Sequence, residues 1–217
     1  MTRPVTHTLF WPGTPQQFVH AQVNVFLKHD IPLYQYREET PHGVWMDRVI
    51  AKAEEDAIIV FADVDAFPVT REAYDVLTDQ ARNGAVAGVA QANVHYPAGD
   101  QTPYAAPAFM AFSKKTWRAA GSPSMQRTDE YDVGQLLSVQ ATAKLIPVVL
   151  SMPSRCHTPR WDLNKSRCYG TGTVYGDDEF FHLFESRLHK NLDIYCQASR
   201  EVCQNMSITV SLASCYK

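Results

Sequence analysis

No stretch of this sequence approaches the roughly 18 consecutive apolar residues that a membrane-spanning helix needs. The first residues, Met1, Thr2, Arg3 and Pro4, run into short mixed segments without an apolar core or a small-residue cleavage site. Neither a transmembrane segment nor a secretory leader is expected, and the chain reads as cytoplasmic. Basic blocks are missing as well: 20 Lys and Arg stand against 23 Asp and Glu, for a formal charge of -3. Without an electrostatic footprint for a phosphate backbone, nucleic acid is an unlikely partner. Cysteine is scarce and unpatterned. Cys156, Cys168, Cys196, Cys203 and Cys215 all fall in the last third, and their odd number and irregular spacing fit neither a disulfide framework nor a zinc ribbon. Reduced structural thiols are expected; a zinc site built from Cys156, His157 and Cys168 would lack any CxxC half-site. The sequon at Asn205-Met206-Ser207 matters only in a secreted chain. Repeats and low-complexity tracts are absent.

What is present is the composition of one ordinary globular domain. The chain has 217 residues, 45% hydrophobic and 20% charged, and a chain of this size buries roughly 70% of its unfolded surface. Four short apolar runs predict buried strands: Ala57 to Ala62, Ala85 to Ala90, Ala108 to Phe112 and Leu145 to Leu150. Helical patterns lie among them. Thr14 is placed to cap a helix with Pro15 in its first turn and Phe18, Gln22, Val25 and Phe26 on one face; Thr70 is placed to cap a second around Ala73, Val76 and Leu77. Alternating strands and helices make the class α/β, with ligands expected outside the carboxyl ends of the strands. The segment from Pro153 to Tyr175, with Pro159, Gly170 and Gly172 and no clear period, reads as a long loop. From Leu192 onward the pattern places no element.

The sharpest feature is Ile58-Ile59-Val60-Phe61-Ala62-Asp63-Val64-Asp65, an apolar strand ending in two acids one residue apart. Strand alternation would send both carboxylates out on one side. Two such charges at the exit of a buried strand repel unless a cation or hydrogen-bond donors neutralise them, and hard oxygen ligands suit Mg²⁺ or Mn²⁺. The alternative is a polar strand end in which one acid caps the next turn.

The sequence Val60-Phe61-Ala62-Asp63-Val64-Asp65-Ala66-Phe67-Pro68 resembles the DxD element of GT-A glycosyltransferases, and further pieces follow in the family's order. Upstream, His42-Gly43-Val44-Trp45-Met46-Asp47-Arg48 is similar to the helix start beneath the nucleotide. Pro107 to Ser113 resembles the strand that floors the sugar site, and Asp129 to Gly134 the acidic turn opening the next helix. Tyr175-Gly176 with Phe181 to Arg187 is similar to a late His element. The resemblance implies one GT-A domain over 1–217: a Rossmann-like, mainly parallel central sheet flanked by helices, a donor half over 1–112, an acceptor half over 113–190 and a remaining segment over 191–217. It implies Mn²⁺ or Mg²⁺ as cofactor, a nucleotide-sugar donor with UDP-glucose as the default, and a glycan, lipid or protein acceptor. Asp65 would ligate the ion, Asp63 would contact ribose, sugar or a metal-bound water, and His182, on a late helix, would be a further ligand. Arg187 and Lys190 would meet the phosphates. Tyr34, Tyr36 and Arg37 are candidates for the base, with Asp47 as a second polar contact and Arg48 beside the phosphates. Asp132 is the candidate catalytic base with Glu130 as its acidic neighbour, although their order departs from the usual xED pattern. The plain alternatives are packing tyrosines, a helix-face His182 and a helix-capping Asp132.

A haloacid-dehalogenase-like phosphohydrolase also places DxD after an apolar strand, and Gly176-Asp177-Asp178 imitates its late acidic motif, but Phe67 stands where that family has Thr or Val. Nucleotidyl transfer would need a Gly-rich, Arg-containing early loop that Phe10-Trp11-Pro12-Gly13 does not supply. A sugar-binding module without turnover is the third class.

Overall fold

The computed structural model describes residues 3–93, 102–164, 166–184, 191–209 and 212–216. The first half alternates strand and helix: β1 (Val5–Phe10), α1 (Gln16–Lys28), β2 (Leu33–Arg37), α2 (His42–Lys52), β3 (Ile58–Ala62), β4 (Ala66–Pro68), α3 (Arg71–Arg82), β5 (Val86–Gln91). Then come β6 (Tyr104–Ser113), α4 (Lys114–Ala119), α5 (Gln135–Ala143), β7 (Val148–Ser151), β8 (Pro153–Asn164), β9 (Arg167–Tyr175), β10 (Phe180–His182), α6 (Leu192–Cys203) and β11 (Ala213–Ser214). The central sheet has six strands in the order β2-β1-β3-β6-β5-β7. All run in parallel except β6, which is antiparallel to both its neighbours. The class is α/β, a mainly parallel sheet flanked by helices.

Both faces of that sheet are covered, which is why its strands are apolar without alternation. Along β3, Ile59 and Phe61 pack with Trp45, Met46, Val49 and Ile50 of α2, while Val60 and Ala62 pack with Phe18, Val25 and Phe26 of α1, Tyr74 and Leu77 of α3, and Tyr195 of α6. Each large side chain buried this way contributes about 2 kcal/mol. The Thr70 cap forms, its hydroxyl accepting from Ala73 N at 3.1 Å, but Val76 faces solvent. Thr14 does not cap α1: the position before Gln16 is Pro15, with no side-chain cap bond. The strand expected from Leu145 starts three residues later, because Leu145 leaves α5 at φ 58 with its side chain 93% exposed. The strand expected from Ala108 starts earlier, at Tyr104; its ladder with β5 jumps at Gly88 and Val89, and Pro107, which has no N–H to give, sits in that irregularity.

The expectation of a loop from Pro153 to Tyr175 is overturned. These residues form β8 and β9, a long antiparallel hairpin within a second sheet of order β11-β8-β9-β10-β4. Its register shifts near Pro153, Pro159 and Asp162 erased the two-residue period that marks a strand. At its tip, Asn164 Oδ1 accepts from Ser166 N and Arg167 N, both at 2.9 Å, an Asx turn. Gly170 is required where the strands touch, since a Cβ there would lie 1.9 Å from Thr158 O.

Candidate metal centre

Asp63 and Asp65 lie in the turn joining β3 to β4, not in the strand itself: Ala66 N donates to Asp63 O at 3.0 Å, closing a four-residue turn. The acids share a side because of this turn, not through strand alternation. The carbonyls of residues 63 to 65 are each held from a different part of the chain. Gln22 Nε2 on α1 donates to Asp63 O at 2.7 Å, the Tyr195 hydroxyl on α6 to Val64 O at 3.0 Å, and Leu183 N to Asp65 O at 2.9 Å. Burial, with the charge of Asp65 as the next cause, pushes the Tyr195 phenol well above its ordinary range, so it stays a donor.

His182 arrives on β10, a strand, which corrects the expected helix. β10 pairs antiparallel with β4 so that His182 faces Ala66, the residue after Asp65. Its Nε2 lies 3.5 Å from Asp65 Oδ1 and 3.7 Å from Asp63 Oδ2. Both are beyond normal hydrogen-bond length, whereas donors sharing an ion at about 2.1 Å sit about 3 to 4 Å apart. One ligand atom from each of the three residues can be chosen so that all lie within 4.8 Å of one another. Asp65 and His182 are buried, and Asp63 is partly open. His182 Nδ1 is buried and has no hydrogen-bond partner among the described residues. The tautomer that frees the Nε2 lone pair carries its proton on that nitrogen, at a cost of about 1–3 kcal/mol that ligation at Nε2 would offset. Two hard carboxylates and one imidazole fit Mn²⁺ or Mg²⁺. Among the described residues no other group of three acids, histidines or cysteines assembles this way, so the trio Cys156, His157 and Cys168 is not formed.

A residue that the sequence reading did not single out stands beside this group. His42, at the start of α2, holds Nε2 3.7 Å from Asp63 Oδ1 and stacks on Trp45 at 5.5 Å. The signal was Pro41-His42 opening a helix with Trp45 one turn on, just before the DxD strand.

The other candidates are placed as follows. Asp47 is engaged in the fold, its carboxylate accepting from Ser124 Oγ at 2.7 Å, Met125 N at 2.8 Å and Gln126 Nε2 at 3.1 Å. Arg48 pairs with Glu38 at 2.6 Å. Tyr36 sets its hydroxyl 3.1 Å from His7 Nδ1 and an edge against Trp45, while Tyr34 and Arg37 are exposed on the edge strand β2. Asp132 lies before α5, accepting from Val133 N at 2.8 Å; Gly134, not Asp132, occupies the helix cap. Burial and the neighbouring Asp132 push the Tyr104 phenol far up, with a smaller contribution from Asp63. Glu130 is exposed, its carbonyl bonded to Asn93 Nδ2 at 3.3 Å. Arg187 and Lys190 lie outside the described residues. Asp177 and Asp178 belong to the turn between β9 and β10, where Asp178 pairs with Arg155.

No described helix is long and apolar enough to cross a membrane. No family model matches the chain, and no curated protein matches it in sequence. Among solved structures it is similar to the apo-form glycosyltransferase GlyE of Streptococcus pneumoniae TIGR4, at 11% identity and TM-score 0.40, over 69% of this chain and 45% of that one. It therefore spans less than half of that protein. It is also similar to a mutant β-1,4-galactosyltransferase 7 of Drosophila in complex with manganese, UDP-Gal and xylobiose, at 13% identity and TM-score 0.43, over 86% of this chain and 73% of that one. Both of these structures are of glycosyltransferases, the class that the sequence resembles.

Proposed function

We propose that this chain is a metal-dependent glycosyltransferase that moves a sugar from a nucleotide diphosphate, with UDP-glucose as the default donor, to a glycan, lipid or protein acceptor. The observation that carries this reading is the convergence of Asp63, Asp65 and His182 at the carboxyl end of β3, where α/β sheets bind ligands. In this reading Asp65 and His182 hold Mn²⁺ or Mg²⁺, with Asp63 toward the ribose or a bound water. When bound, the ion neutralises charge on the departing diphosphate, worth several kcal/mol. His42, on the far oxygen of Asp63, holds that carboxylate in place or donates to a phosphate. The nucleobase lies near Arg37, which pairs with Phe10 at the strand end, and the exposed Trp11, which follows Phe10, and Arg187 and Lys190 are proposed at the phosphates. Asp132 takes the acceptor hydroxyl's proton in an inverting transfer.

A thermal-shift panel of nucleotide sugars, run with Mn²⁺ and with chelator, tests this. A ligand that binds only the native state raises stability by RT ln(1 + [L]/Kd), about 2.7 kcal/mol at a hundredfold excess over Kd. UDP and its sugars should stabilise with metal and not without it; equal shifts in chelator would remove the metal-dependent reading.

A further inference from the structure

Three of the five cysteines, far apart in sequence, come together in one buried cluster: Cys156 on β8, Cys168 on β9 and Cys215 just past β11. Nothing in the metal site uses them. Beside the isolated antiparallel bridge of Arg167 and Tyr216, Cys168 N donates to Cys215 O at 2.9 Å. A backbone hydrogen bond of that length leaves the two Cα atoms no more than about 7 Å apart, the limit a disulfide spans. Cys168 Sγ already lies 3.7 Å from Cys215 O. None of the three is in a disulfide.

From this juxtaposition we propose that Cys168 and Cys215 are a thiol–disulfide couple, a redox site that staples the last described strand to the β8–β9 hairpin. Cys168, the least buried of the three at 9% exposure, attacks a small disulfide such as oxidised glutathione and releases one glutathione thiolate. Cys215 then attacks the Cys168 sulfur of the mixed disulfide and expels the second. Two protein thiols lose two electrons and two protons, and one glutathione disulfide becomes two glutathiones. The bond would fix a strand of two residues that is otherwise held by single hydrogen bonds such as Cys215 N to Ser154 O at 2.9 Å and by Arg167 stacked on Tyr216 at 4.4 Å. Strand β11 shares one row with the metal site: Ala213 faces Cys156, Cys156 faces Thr173, Thr173 faces His182, and His182 faces Ala66.

The test uses the full chain carrying Cys196→Ser and Cys203→Ser, which removes the two partly exposed thiols of α6. It is incubated with oxidised glutathione and digested without reductant. The expected result is a cross-linked peptide joining Cys168 to Cys215, lighter by two hydrogens, reversed by dithiothreitol, with a melting temperature raised by about 5 °C or more. Adding Cys156→Ser should leave the Cys168–Cys215 cross-link in place. A stable glutathione adduct, a link through Cys156, or no mass loss after prolonged oxidation would overturn the assignment.

Discussion

At the scale of single residues, the chemistry depends on which polar groups the fold leaves uncommitted. Asp47 illustrates the committed kind: the sequence offered it as a contact to the base, and its carboxylate instead ties α2 to residues 124–126 through three hydrogen bonds. Asp132 is engaged as well, accepting from Val133 N at 2.8 Å beside the buried Tyr104 phenol. Asp132→Asn should leave binding of UDP with metal nearly intact and lower transfer by about a hundredfold or more, as loss of a general base does; a product of retained configuration would assign Asp132 to donor positioning instead. His7 gives a prediction of another kind. Burial takes its imidazole from 6.5 down to about 4, so between those values the unfolded chain binds a proton that the folded chain refuses, and stability falls as pH drops through that window. The loss is at most about 3 kcal/mol. Urea titrations at about pH 7 and pH 4.5 should show it, and His7→Gln should flatten the difference more than the parallel change at His29, which burial also lowers.

At the scale of elements, the site is set by short pieces pinned from several sides. Gly43 lies where α2 meets the 125–126 backbone, and a Cβ there would be 2.5 Å from Gln126 Cα and 2.6 Å from Met125 O. Backbone on both sides leaves no room to yield. Gly43→Ala should cost about 2 kcal/mol and lower the melting temperature by about 5 °C by calorimetry; an unchanged melting temperature would show that α2 shifts freely. The elements legible in sequence were those whose signal is local. The apolar run of β3 and the Thr70 cap are examples, because burial on both faces and one hydroxyl leave a direct mark. The hairpin β8–β9 was illegible because its bulges break the alternation and its prolines and glycines, which serve those bulges, read as breakers. His182 was legible as a residue but not as a strand residue: β10 is three residues long and exists only through pairing with β9 and β4.

At the scale of the whole molecule, the account rests on one long-range meeting. Asp63 and Asp65 leave the central sheet, and His182 comes from the second sheet more than a hundred positions later, yet pairing of β10 with β4 sets the imidazole 3.5 Å from Asp65. The sequence offered this grouping only through the order of pieces that resemble a family's motifs, since no periodicity connects residues so far apart. His42 escaped notice because its approach to Asp63 depends on α2 packing against β3 through Trp45 and Phe61, ring centroids 5.3 Å apart. The most direct measurement is titration calorimetry of UDP binding, with Mn²⁺ and with chelator, on the wild-type chain and on His182→Ala. The wild type should bind at least about tenfold more tightly with Mn²⁺, about 1.4 kcal/mol or more, and His182→Ala, still folded by circular dichroism, should lose most of that difference. A folded His182→Ala chain that keeps the full metal effect would contradict the assignment of the metal centre.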